Sequence, residues 1–167
     1  GSTVAQAIIR GNAIAVCDGS YKDHFGTAAF VLQNGNNKTS RILGAHVTPG
    51  HPGDINPYRS ELGGILAIVI VTEAIATFHD INKGTIAIGC DCLSGLITVF
   101  EHVYDTPKQP HHDIIHEIRR KLADSRLTWK FDTLMATKTS TSRTTSLACG
   151  GNSTWRWTAL PRYIGMI

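Results

Sequence analysis

Three carboxylates in this sequence stand where carboxylates do chemistry. Asp18 closes the apolar run AIAVCDG, Glu61 sits in YRSELGG, and Asp91 follows the apolar run TIAIGC. A run of that kind reads as a buried strand, so both aspartates fall at strand ends. If the two strands are parallel neighbours, Asp18 and Asp91 emerge at the same end of one sheet, where open α/β sheets bind ligands. Glu61 then reaches them from a helix packed across that sheet. Three acids brought together repel one another and lose hydration unless a cation neutralises them. The matching cations are hard divalent ions with oxygen ligands, Mg²⁺ first and Mn²⁺ as the alternative. Two such ions about 3.5–4 Å apart would clamp a phosphodiester, one activating the attacking water and the other stabilising the leaving oxygen. Any one of these acids alone would be read as a surface residue; the argument rests on the three together.

The elements that must position them follow from pattern and punctuation. Ala13–Gly19 and Gly26–Gln33 read as strands joined through SYKDHF. Asn34-Gly35 marks a second hairpin, and Ser40–Val47 a third strand. Residues 48–57, TPGHPGDINP, form a breaker-rich loop. Pro57 suits a first helical turn capped by Asn56 or Asp54, opening a helix from about Tyr58 to His79. Its centre, Ile65–Val71, is β-branched and would suit a strand by propensity. The segment's length and the lack of turn residues inside it favour a helix buried on most sides. Thr85–Cys90 is a fourth strand, Ser94–His102 a helix, His111–Ser125 an amphipathic helix, and Leu127–Phe131 a fifth strand. No internal repeat is present.

With these elements in place, DGS at 18–20, RSELGG at 59–64 and CDCLSGL at 90–96 resemble the ribonuclease H family. The domains of retroelement reverse transcriptases are the most similar. The resemblance spans roughly residues 11–131. It implies an α/β fold with a five-stranded mixed sheet of order 3-2-1-4-5 and helices on both faces. It also implies a domain over residues 1–132. Asp18, Glu61 and Asp91 match the family's first three catalytic, metal-binding acids. The order Asp, Glu, Asp differs from that of integrases, whose glutamate comes last. The implied activity is metal-dependent endonucleolytic cleavage of the RNA strand of an RNA–DNA hybrid, leaving a 3′-hydroxyl, within a larger polyprotein. The hybrid would be held through its minor groove, where 2′-hydroxyls are displayed. Gly19 and Ser20 would lie near the RNA, and Arg59, Ser60 and Ser94 would contact phosphate or sugar.

The chain departs from the family at its end. The family has a fourth acid on a last helix and a histidine on the loop before it. Here no acid follows Asp132 and no histidine follows His116. Residues 133–167 hold twelve Ser or Thr, four basic residues and no acid, with no periodicity. They read as an atypical basic tail, either disordered or out of frame. Shifted by one base, allowed codons between Thr133 and Thr139 can spell V-D-G-H-Q-D. Those between Gly150 and Thr158 can spell G-Q-L-N-V-E-M-D. These strings resemble the family's histidine loop and last helix. A catalytically impaired remnant that still binds nucleic acid is therefore the competing reading. An actin-like phosphotransferase, which shares the sheet order, lacks its phosphate-binding glycine loop here.

The remaining features set bounds. At 167 residues the chain is long enough for one domain with a real core. Its net charge of +3 arises in the tail: residues 1–132 carry twelve basic residues against thirteen acidic. The longest uninterrupted apolar run is seven residues, Ile65–Val71, well short of a membrane span. The start, GSTVAQAIIR, has no basic leader region, lacks an initiator Met, and reads as a fragment whose Gly1-Ser2 could be a cloning scar. Cysteines at 17, 90, 92 and 149 form no C-x-x-C pair, so reduced thiols in the cytoplasm or nucleus are expected. Cys90 and Cys92 read as buried thiols pointing away from Asp91. His112 and His116 have the spacing of a metal pair but no third ligand nearby, so they read as a surface pair. Trp155 and Trp157 could stack on bases if the tail is genuine. Glu73, Asp23 and His24 read as solvated.

Overall fold

The computed structural model describes residues 2–101 and 106–131. The expected tail at 133–167, Asp132 at the end of the expected domain, and the helix end at His102 lie outside the described residues.

Five strands form one sheet in the order β3-β2-β1-β4-β5. They are β1 (Ala13–Lys22), β2 (Phe25–Asn34), β3 (Asn37–Val47), β4 (Thr85–Cys90) and β5 (Thr128–Phe131). The first three are antiparallel; β4 lies parallel to β1, and β5 parallel to β4. The expected mixed sheet and strand order are what the structure has. The first two strands run further than their apolar cores suggested. They meet at a two-residue turn, Asp23-His24, with φ of 50° and 63°. Two consecutive left-handed residues match the twist of a tight hairpin, so SYKDHF is mostly strand.

The helices are α1 (Ser2–Arg10), α2 (Pro57–Phe78), α3 (Leu93–Phe100) and α4 (His112–Asp124). Helix α1 was not expected. Val4, Ala5, Ala7 and Ile8 are buried at helical spacing, and Gly11, at φ 72°, turns the chain back so that the Asn12 N–H donates to Ala7 O at 2.8 Å. Helix α2 begins where Asn56 caps it, its side chain accepting from the Arg59 N–H at 2.8 Å, with Pro57 in the first turn. Its 22 residues are long and apolar enough to cross a membrane. Here Leu62, Ile65, Ile68, Val69 and Thr72 are instead buried in the protein's own core, and that burial outweighs β propensity. The core joins α1, α2, α3 and α4 to Ala13, Ala15, Cys17, Phe30, Leu32, Ile86 and Ile88 of the sheet.

Candidate active site

The site is assembled by strand register and by one close helix approach. Cys17 of β1 is paired with Cys90 of β4 in the parallel ladder. The next residue on each chain is an aspartate: Asp91 follows the end of β4, whereas Asp18, expected at a strand end, lies within β1 and is paired with Ala29 of β2, because the hairpin ladder continues to Lys22. Helix α2 lies low over β1 because glycines let it. A Cβ on Gly19 would stand 2.5 Å from the Glu61 backbone nitrogen, and one on Gly64 would stand 2.8 Å from Cys17 Cβ. Neither contact is compatible with a side chain.

That approach brings Glu61, 9% exposed, onto Gly19 of β1 and Cys90 at the end of β4. Its Oε2 accepts from the Gly19 N–H at 3.0 Å and from the Cys90 thiol at 3.3 Å. One ligand atom each from Glu61, Cys90 and Asp91 lie within 4.8 Å of one another. Asp18 is not one of this group, but its charge interacts with those of Glu61 and Asp91. Burial pushes the Glu61 carboxyl up to about 9, helped by the charges of Asp91 and Asp18 and opposed by its two hydrogen bonds. Burial and the Asp91 charge raise Asp18 to about 6. Burial raises Asp91 too, against hydrogen bonding to Glu61 and the local backbone. All three acids are therefore short of positive charge, the condition a divalent cation would relieve. By donor chemistry the carboxylates fit one; the Cys90 thiol is the foreign element.

The expected nucleic-acid contacts divide. Ser20 and Ser94 are exposed and Gly19 is half-buried. Arg59 and Ser60, expected as phosphate or sugar contacts, are 3% and 0% exposed, with their side chains engaged inside the protein. The Arg59 Nε donates to Pro49 O at 2.6 Å, and its two terminal nitrogens donate to the Asp113 carboxylate at 2.8 and 2.5 Å. The guanidinium holds Asp113 down at about 2. Gly50, at φ 135°, lets the loop close over Arg59; a Cβ there would stand 2.6 Å from Nε. Ser60 Oγ donates to Asn56 O at 3.1 Å and accepts from Thr48 Oγ1 at 3.0 Å. Both residues fix the start of α2 and so the placement of Glu61.

Sequence reasoning missed two participants. Cys90 is buried as expected but sits in the acidic group, and its pairing with Cys17 could have revealed this. His111, left-handed at φ 61°, faces the Asn56 amide at 3.0 Å and thereby touches the α2 cap; no local pattern announces it. Cys92 is buried at the start of α3, 3.4 Å from Ser94 Oγ. His112 and His116 stack on each other, ring centroids 5.4 Å apart, away from the acids. Glu73 is not simply solvated: it accepts from Ser125 Oγ at 2.5 Å, tying α2 to the end of α4.

No protein-family model and no curated protein matches the sequence. Among solved structures, the chain is similar to RNase H1 from the halophilic archaeon Halobacterium salinarum NRC-1. The identity is 15%, over 72% of this chain and 83% of that one, with a TM-score of 0.53. It also matches the N-terminal RNase H domain of a Mycobacterium tuberculosis protein, solved fused to maltose-binding protein. There the identity is 8%, over 72% of this chain and 81% of that one, with a TM-score of 0.43. The fold is ribonuclease H-like.

Proposed function

We propose that this chain is a divalent-metal-dependent endonuclease that cleaves the RNA strand of RNA–DNA hybrids, as a domain of a retroelement reverse transcriptase polyprotein. The observation that carries the activity is the gathering of Glu61 and Asp91 within 4.8 Å through one ligand atom each, with Asp18 of the neighbouring strand β1 coupled to both through its charge. The ribonuclease H-like fold supports it. The reverse transcriptase context rests on the motifs DGS, RSELGG and CDCLSGL. The free thiols of Cys17, Cys90 and Cys92 suit a reducing, intracellular setting.

Asp18, Glu61 and Asp91 would hold the ions, Mg²⁺ by preference. Bound there, they supply water activation and charge stabilisation at the leaving oxygen. The chain's own contribution is placement. The Gly19 N–H fixes the Glu61 rotamer, and the Asn56 cap with the Arg59–Asp113 pair fixes the helix that carries Glu61. Exposed Ser20 and Ser94, with the Gly19 backbone, are the groups offered to sugar and phosphate.

The test is cleavage of an end-labelled hybrid in Mg²⁺. Outer-shell partners of a metal are worth about 10–100-fold, so Asp18→Asn and Asp91→Asn should each cost at least about 100-fold. Hybrid binding without cleavage in Mg²⁺ or Mn²⁺ replaces the enzyme by an inactive binding remnant.

A further inference from the structure

We infer that Cys90 makes the acidic cluster a site for a thiophilic divalent cation, Zn²⁺ in the cell, held by Cys90 Sγ with the Glu61 and Asp91 carboxylates. Hard ions take oxygen ligands only, whereas a sulfur donor selects softer ions such as Zn²⁺ and Cd²⁺. Here one sulfur and two carboxylates each place a ligand atom within 4.8 Å of the others. Two protein carboxylates and one thiolate supply three ligands, and the exposed side of Asp91 leaves a fourth position for water.

The geometry already holds the sulfur in the ligating direction. The Cys90 thiol is 2% exposed, donates to Glu61 Oε2 at 3.3 Å and accepts from the Cys92 N–H at 3.4 Å, so its sulfur is held against the Glu61 carboxylate. Binding breaks the S–H bond, forms an S–metal bond and releases the proton to solvent, with no change of oxidation state. Cys17, paired with Cys90 in the ladder and also buried, lies beside it with its thiol directed to Gly89 O. The other described thiol, Cys92, is directed to Ser94 Oγ at 3.4 Å. An ion held this way takes Glu61 and Asp91 oxygens from the Mg²⁺ ions and so inhibits cleavage. That consequence rests on the nuclease reading; the binding itself does not.

The test titrates Cd²⁺ into the phosphine-reduced full chain without nucleic acid. It reads the thiolate-to-cadmium charge-transfer absorption and the melting temperature. The expected result is a band saturating at one Cd²⁺ per chain, with a raised melting temperature. Cys92→Ser and Cys149→Ser keep the band. Cys90→Ser abolishes it and weakens Cd²⁺ by at least about tenfold, the lower scale of outer-shell effects. Glu61→Gln and Asp91→Asn, which leave the thiol in place, each weaken Cd²⁺ by a similar factor. If Cys90→Ser does not fold by circular dichroism, these two variants decide. No band, a band that survives Cys90→Ser, or affinity indifferent to both carboxylate variants overturns the proposal. A band in a protein that never cleaves hybrid in Mg²⁺ removes the nuclease reading and keeps this site. Cleavage without a band does the reverse.

Discussion

The Gly19 N–H donates to Glu61 Oε2 at 3.0 Å, and a Cβ on Gly19 would lie 2.5 Å from the Glu61 backbone nitrogen. The strand and the helix thus meet backbone to backbone, with no flexible side chain to give way. Gly19→Ala must push α2 off β1. Overpacking of this kind costs about 1–3 kcal/mol, and the displaced carboxylate should bind divalent ions more weakly. Urea unfolding with and without Mg²⁺ measures both effects. Unchanged stability together with an unchanged Mg²⁺ response would show that the contact constrains nothing.

Acid–base behaviour follows from the same crowding. Glu61 is raised from 4.5 to about 9 and Asp18 from 3.8 to about 6. Between each pair of values the folded state holds a proton that the unfolded chain has lost. Stability without metal therefore falls as pH rises through that window and levels off above it. Asp113 has the opposite sign: held at about 2 by Arg59, it contributes stability that is lost as pH falls below its ordinary 3.8. The metal-free protein should be most stable near pH 4–5 and weaken steadily to pH 9. Saturating Mg²⁺ should flatten the alkaline side. Melting curves across pH check this, and a metal-free optimum above pH 7 contradicts it.

The Arg59–Asp113 pair gives a prediction that separates support from substrate contact. Arg59 is 4% exposed by side chain and Asp113 68%, so the exposed partner weakens the ion pair through solvent screening. Asp113→Ala should cost about 1.5 kcal/mol, the lower end for hydrogen bonds to charged groups. Arg59→Ala should cost more, because it also frees Pro49 O and opens the space under Gly50. A phosphate-binding arginine would behave otherwise. Its loss would leave stability alone and lower the salt dependence of hybrid binding by about one unit of slope.

Much of this molecule was legible from its punctuation. Asn56-Pro57 announced the start of α2, and the apolar runs before Asp18 and Asp91 announced two parallel strands, because capping and burial are local properties; that β1 runs on past Asp18 to Lys22 depends on its pairing with β2. What escaped was set by contacts distant in sequence. Arg59 is only a charged residue in a first turn until Asp113, 54 positions later, arrives to pair with it. Cys90 is one more apolar residue of a strand until α2 lowers Glu61 onto it. Helix α1 did carry the spacing of Val4, Ala5, Ala7 and Ile8, but nine residues are too few for periodicity alone to mark a helix, and its stability comes from packing on the sheet.

The acids should also trade stability against function. Asp91 is second only to burial in raising both Asp18 and Glu61. Asp91→Asn removes that repulsion while keeping a side chain of the same shape. At pH 8 without metal Asp18 is charged while Glu61 mostly keeps its proton, so the variant loses the Asp18–Asp91 repulsion and should melt higher than the parent, by the equivalent of about 0.5–2 kcal/mol, the usual gain from improved charge placement. Adding Mg²⁺ should then raise the parent's melting temperature and barely move the variant's, because the ion has lost a ligand and much of the charge that attracts it. The two curves should approach or cross as Mg²⁺ increases. A variant less stable than the parent without metal would mean that hydrogen bonding by Asp91 outweighs its charge, and that the cluster is held together rather than forced together.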